Sequence, residues 1–120
     1  MAKIMIVDDA AFMRMMVKNA LKQGGYTDVY EAVDGQAAVQ MYSELKPDLV
    51  LMDITMPNMD GLEALKTIRA ADSNAQVVMC SAMGQESMVI EAIKSGAKDF
   101  IVKPFKPERI LKTVTGLLEK

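Results

Sequence analysis

The sequence predicts an α/β fold: a doubly wound, parallel five-stranded sheet covered by helices on both faces. Three observations lead there. Short apolar runs recur at residues 4–7, 29–33, 49–52, 77–80 and 100–102, the second weaker than the rest. Their β-branched content and lack of polar alternation suit strands buried on both faces. Longer amphipathic stretches separate them, which is the βα alternation that makes sequential strands parallel.

Taken in order, the first run leads into a stretch in which Phe12, Met13, Met16, Val17, Ala20 and Leu21 recur at helical spacing, with Arg14, Lys18 and Lys22 on another face. Asp9 is placed to cap that helix and Gly24-Gly25 to end it. After the second run, Asp34-Gly35 opens a helix carrying Ala38, Met41, Tyr42 and Leu45, closed by Pro47. A third helix reads through Leu62, Leu65 and Ile68; a fourth through Met88, Val89, Ala92 and Ile93, with Gly96 beyond it. The last begins at Pro107 and sets Ile110, Leu111, Val114, Leu117 and Leu118 on one face. Five strands are too few for an eight-stranded barrel. The expected architecture is a three-layer (βα)5 sandwich with flavodoxin-like strand order 2-1-3-4-5.

The 120 residues suit a single domain over 1–120. With 51% apolar and 25% charged residues, a packed core is expected rather than disorder. The net charge of −2 argues against a nucleic-acid partner. Cys80 is the single cysteine, so no disulfide forms within the chain and a reducing compartment is compatible. The absence of histidine removes His-based triads and His-ligated zinc. The opening run stops at Asp8-Asp9, too short for a signal peptide or membrane span. A cytoplasmic protein with no membrane partner is the expectation.

In a parallel sheet the carboxyl ends of all strands share one edge, where ligands of such folds bind. The runs here end in Asp8-Asp9, Asp53, Ser81 and Lys103. Any one of these alone reads as a loop residue or helix cap; four strand ends carrying a functional group at one edge read as a site. Three carboxylates on adjacent strands crowd negative charge together and call for a cation. Oxygen donors with no histidine or cysteine pair suit Mg2+, which takes few carboxylates and bridges to phosphoryl groups. Lys103 adds a point charge for an anionic oxygen, and the Ser81 hydroxyl a donor. This is the chemistry of phosphoryl transfer, where the protein positions groups and neutralises charge. Ser81 has no histidine to activate it, whereas a carboxylate needs no base. Asp53 is therefore the expected acceptor, with Asp8 and Asp9 better placed to hold the metal.

Val7-Asp8-Asp9, Asp53-Ile54-Thr55-Met56-Pro57 with Asp60-Gly61, Ser81-Ala82 and Lys103-Pro104-Phe105 resemble the motifs of the receiver domain of two-component response regulators. Residues 10–16, 80–85 and 96–100 are similar to those of its stand-alone chemotaxis members. The resemblance implies that Asp53 takes a phosphoryl group from a phosphohistidine on a CheA-like histidine kinase. It implies that Asp9 and Asp53 ligate Mg2+ directly, Thr55 through its backbone carbonyl, and Asp8 mainly through water. Lys103 would pair with the acceptor and then with the phosphoryl oxygens, and Lys103-Pro104 would be a cis peptide. Ser81 would move to bond the phosphoryl group, and Phe100 would swing inward behind it. The readout face would be the fourth helix, fifth strand and fifth helix. Implied partners are the flagellar motor switch protein and a phosphatase, with the chain itself a monomer and not an enzyme. A relay function outside chemotaxis is the alternative. As the chain ends after its fifth helix, no attached output domain is expected.

Where the chain departs from the family pattern, Ser81 replaces the commoner threonine and Phe100 a frequent tyrosine. Thr55 and Met83 stand where many relatives carry polar residues; these positions bear on access of water and on phosphoryl lifetime. A haloacid-dehalogenase-like phosphohydrolase would need a second aspartate at Thr55 and a cap domain. A flavodoxin-like flavin site would place a phosphate against Asp8-Asp9. Of the 12 methionines most are expected to fill core gaps; Met56, Met59 and Met83, in loops, are candidates for an adaptable docking surface. Cys80 reads as a small buried residue, and Lys94, Lys98, Lys106 and Lys112 as solvated faces.

Overall fold

Each apolar run forms a strand, and alternate side chains along the strands sort into two cores. The computed structural model describes residues 2–119. In chain order the elements are β1 (Ile4–Val7), α1 (Ala11–Gln23), β2 (Val29–Ala32), α2 (Gly35–Leu45), β3 (Leu49–Asp53), α3 (Gly61–Ala71), β4 (Val77–Ser81), α4 (Glu86–Lys94), β5 (Asp99–Val102) and α5 (Pro107–Leu118). All strand pairs are parallel, and the sheet order is β2-β1-β3-β4-β5, as the sequence predicts.

Ile4, Ile6, Leu51 and Val78 face one way, against Val17 and Leu21 of α1 and Val114 of α5. Met5, Val7, Met52 and Met79 face the other, against Tyr42 of α2, Leu65 of α3 and Val89 of α4. That sorting follows from the two-residue period of a strand. Because helices cover both faces, every residue of β1, β3 and β4 is buried, which explains apolar runs broken only by Asp53 and Ser81 at the strand ends. Each buried Val, Leu, Ile or Met side chain among them contributes about 1.5–3 kcal/mol to folding.

Several boundaries differ from the sequence expectation, although β3 ends at Asp53 and β4 at Ser81 as predicted. The ladder continues past them, with Ile54 N donating to Cys80 O at 3.2 Å and Lys103 N to Ser81 O at 2.7 Å. The second strand stops at Ala32, leaving Val33 exposed. α1 is not capped by Asp9: its N-cap is Ala10, with no side-chain cap bond, and Asp8 Oδ1 instead accepts from Ala10 N at 2.9 Å. Its first turns are also less buried than their pattern suggests, with Phe12 65% and Met16 37% exposed. Helical periodicity shows which side chains share a face, not which turns have a neighbour. The same holds for Ile93, which is exposed on α4. Met56 is buried in the core rather than presented from its loop, while Met83 is open to solvent.

Asp34, expected to open α2, caps it, and Asp60, which the sequence reading does not single out, caps α3. Asp60 Oδ1 accepts from Glu63 N, and Asp34 Oδ1 from Ala37 N, each at 2.8 Å. Asp34 Oδ2 also accepts from Asn58 Nδ2 at 2.7 Å, tying the start of α2 to the loop after β3. Asn58 has φ +66°, a left-handed conformation asparagine adopts more readily than most residues, and this bond anchors it there. Asp34→Ala removes both bonds and is expected to lower the thermal midpoint at pH 7 by roughly 4 °C. The Ala37 amide, and then Asn58, hold the Asp34 carboxyl below its ordinary range. Its contribution is therefore present above that range and lost as pH falls through the lowered pKa. Variant and wild type should converge in acid; coincident melting curves at pH 7 would reject this role.

Candidate functional site

The carboxyl ends of β1, β3, β4 and β5 meet in one crevice. Asp8 follows β1 and is buried, Asp53 ends β3 at 9% exposure, and Asp9 lies in the open. One carboxylate oxygen from each lies within 4.8 Å of the others. Lys103, just past β5, reaches back across the sheet: its Nζ is 3.0 Å from Asp53 Oδ1 and 3.1 Å from Asp8 Oδ2. Lys103-Pro104 is a cis peptide. Asp53 pairs with Cys80 in the β3–β4 register, so Ser81 stands one residue beyond the acidic side chain on the neighbouring strand.

Burial dominates the Asp53 carboxyl and raises its pKa, although hydrogen bonding and charge from Lys103 pull the other way. For Lys103 burial disfavours the ammonium, but Asp53 and then Asp8 outweigh it and hold its pKa above the ordinary value. Two buried carboxylates thus share one ammonium, with a third acid at the mouth. That donor set, all hard oxygen with an excess of negative charge, fits a small divalent cation. The Cys80 thiol is pushed up to about 12 by burial and is no nucleophile.

Thr55 is expected to offer its backbone carbonyl and Phe100 to act as a switch, so neither side chain is required within this cluster. Thr55 is exposed on the lip, where its Oγ1 accepts from Gln85 Nε2 at 2.7 Å. Phe100 lies away from the acids, 37% exposed, lining a groove of 680 Å³ that runs from Ser81 past Met83 to Ile90 and Ile93.

Sequence reasoning missed three supporting residues. Arg14 Nη1 donates to the Asp8 carbonyl at 2.8 Å and its Nε to Glu31 Oε1 at 3.0 Å, fixing the backbone of the acidic pair. Asn58 braces the loop after Asp53, and Gln85 joins two loops across the crevice. Periodicity places Arg14 only on a face apart from the apolar one, and neither amide carries a spacing signal.

A parallel 2-1-3-4-5 sheet whose acidic crevice holds a lysine from just beyond the last strand defines a class of protein, and the chain belongs to it: residues 4–115 match the response regulator receiver domain family. It is similar to the chemotaxis protein CheY of Bacillus subtilis, 59% identical over 116 residues that cover 97% of each chain. The chemotaxis protein CheY of Thermotoga maritima is 58% identical over 112 residues, 93% of each chain. A chain in the crystal structure of the CheX-CheY-BeF3-Mg2+ complex from Borrelia burgdorferi superposes with a TM-score of 0.93 at 37% identity, covering 99% of this chain and 90% of that one.

Proposed function

We propose that the chain is a chemotaxis response regulator that acts as a single receiver domain over residues 1–120 and switches when Asp53 is phosphorylated. One observation carries this: the oxygens of Asp8, Asp9 and Asp53 gathered within 4.8 Å, with Lys103 Nζ 3.0 Å from Asp53. Identity near 59% to CheY over almost the full chain supports the chemotaxis assignment.

The phosphoryl group passes from a phosphohistidine of a CheA-like kinase to an Asp53 oxygen; the N–P bond breaks as the O–P bond forms. Asp8, Asp9, Asp53 and the Thr55 backbone carbonyl would hold Mg2+, which supplies charge neutralisation for the phosphoryl oxygens. Lys103, already against Asp53, offers a second positive charge there. The Ser81 hydroxyl donates to a further oxygen and draws the end of β4 toward Asp53, leaving room for Phe100 to turn inward. Charge-assisted bonds of roughly 1.5–3 kcal/mol each suffice to bias such a two-state element. The exposed face of α4, β5 and α5 is the readout surface for the flagellar motor switch protein, and a phosphatase resets the site. The protein works as a cytoplasmic monomer; among the described residues no helix is long and apolar enough to cross a membrane.

Incubation with acetyl phosphate and Mg2+, followed by intact-mass measurement, tests the reading. The protein should gain one acid-labile phosphoryl group, and chelation of the metal should prevent it. Absence of any mass gain, or a gain indifferent to chelation, would reject the function.

A further inference from the structure

The two loops that rim the crevice are joined by a single side chain. Gln85 Nε2 donates to Thr55 Oγ1 in the loop after β3, and Gln85 Oε1 accepts from Ala82 N in the loop after β4, both at 2.7 Å. Thr55 is two residues from Asp53, and Ala82 is next to Ser81. The same residue begins a helix: the Gln85 carbonyl accepts from Met88 N at 3.1 Å and Val89 N at 3.0 Å at the start of α4. Between Ala82 and Gln85 the chain has little else to stiffen it. Met83 is 80% exposed, and Gly84 has φ +90° with open space around it.

We propose that Gln85 is a positioning residue that bolts the rims together in the unmodified protein and releases when Asp53 is phosphorylated. It thereby opposes modification and passes the event to the first turn of α4. The inference rests on the function proposed above. The release has a physical cause. A phosphoryl oxygen is a stronger acceptor than a neutral carboxamide oxygen, and movement of Ser81 toward Asp53 carries the Ala82 N–H with it, away from Gln85. Once the amide is lost, the carboxamide is held by one exposed bond to Thr55. Because the Gln85 main chain begins α4, its two side-chain bonds tether the start of that helix to both loops, and their loss removes the tether.

Beryllofluoride with Mg2+ serves as the phosphoryl mimic, titrated by 1H–15N NMR into wild type, Gln85→Ala, Thr55→Val and the double variant. Gln85→Ala removes the bolt from the unmodified state alone and should bind the mimic about three- to tenfold more tightly. Thr55→Val removes one of its ends and should gain about two- to threefold. The double variant should match Gln85→Ala, because the two changes delete a shared interaction. A carboxylate still accepts at both positions, so Gln85→Glu keeps the bolt, adds negative charge, and should bind more weakly than wild type. In wild type the Ala82 amide resonance should move on binding; in Gln85→Ala it should already be displaced before the mimic is added. Equal or weaker binding by folded Gln85→Ala, or additive effects in the double variant, overturns the bolt. Failure of folded wild type to bind the mimic at all overturns instead the phosphoryl-switch reading beneath it.

Discussion

Asp53→Asn is expected to take up no phosphoryl group from acetyl phosphate and Mg2+, and yet to melt at a higher temperature than the wild type. The first half follows because the amide has no carboxylate oxygen to form the O–P bond. The second follows from charge. Asp8 and Asp53 are both buried and share one ammonium, at 3.1 and 3.0 Å. Removing one carboxylate leaves Lys103 matched one-to-one with Asp8. The raised pKa of Asp53, set first by burial, gives the pH dependence. A carboxyl raised on folding favours the folded state below the ordinary aspartate pKa of about 3.9 and loses that favour as pH rises through its raised value. Asparagine resembles the neutral acid, so the two proteins should have similar midpoints in acid and diverge toward neutrality, with the variant the more stable. Mg2+ should raise the wild-type midpoint more than that of the variant. An Asn variant less stable at neutral pH would mean that the Lys103–Asp53 pair outweighs the cost of burying the charge.

That trade between stability and function bears on what the sequence made visible. The alternation of apolar runs and amphipathic stretches determines a parallel sheet, and chemistry-bearing residues at the strand ends then converge because all strands point one way. Asp8, Asp9, Asp53 and Lys103 were legible for this reason: their type is informative and topology supplies the distance. The start of α2 at Asp34 was legible because the cap bond is local. Asp9 was misread as a cap because a residue one step earlier, Asp8, satisfies the Ala10 amide at 2.9 Å, and pattern alone does not rank two adjacent aspartates. Phe12 and Met16 were misread as core because burial depends on what lies opposite a helix turn. Gln85 and Asn58 were invisible for a different reason. Each acts through a hydrogen bond to a residue 24 or more positions away, 30 for Gln85–Thr55 and 24 for Asn58–Asp34, with no spacing to betray it.

Gly61→Ala is expected to be the most damaging of the conservative changes near the site. Gly61 opens α3 just after its Asp60 cap, and its N–H donates to the Ile54 carbonyl at 2.6 Å. A Cβ there would meet the Asp53 carbonyl oxygen at 2.0 Å, its carbon at 2.9 Å and Ile54 Cα at 3.0 Å. All three are main-chain atoms, so no rotamer change relieves the overlap; either α3 withdraws or the end of β3 shifts. The expected loss is about 3 kcal/mol in urea unfolding, at the upper end of overpacking costs. The second consequence is chemical. β3 ends at Asp53, so a displaced carbonyl moves the carboxylate off Lys103, and about 1 Å of misplacement is enough to slow a positioned reaction roughly a hundredfold. The phosphoryl transfer rate from acetyl phosphate should therefore fall beyond what the unfolded fraction explains. Gly116→Ala provides the contrast: it lies within α5 with nothing near its Cβ position, and the helix should gain about 0.5–1 kcal/mol with unchanged phosphorylation. Wild-type stability and rate in Gly61→Ala would show that β3 and α3 can separate without disturbing Asp53, and that the site does not depend on this contact.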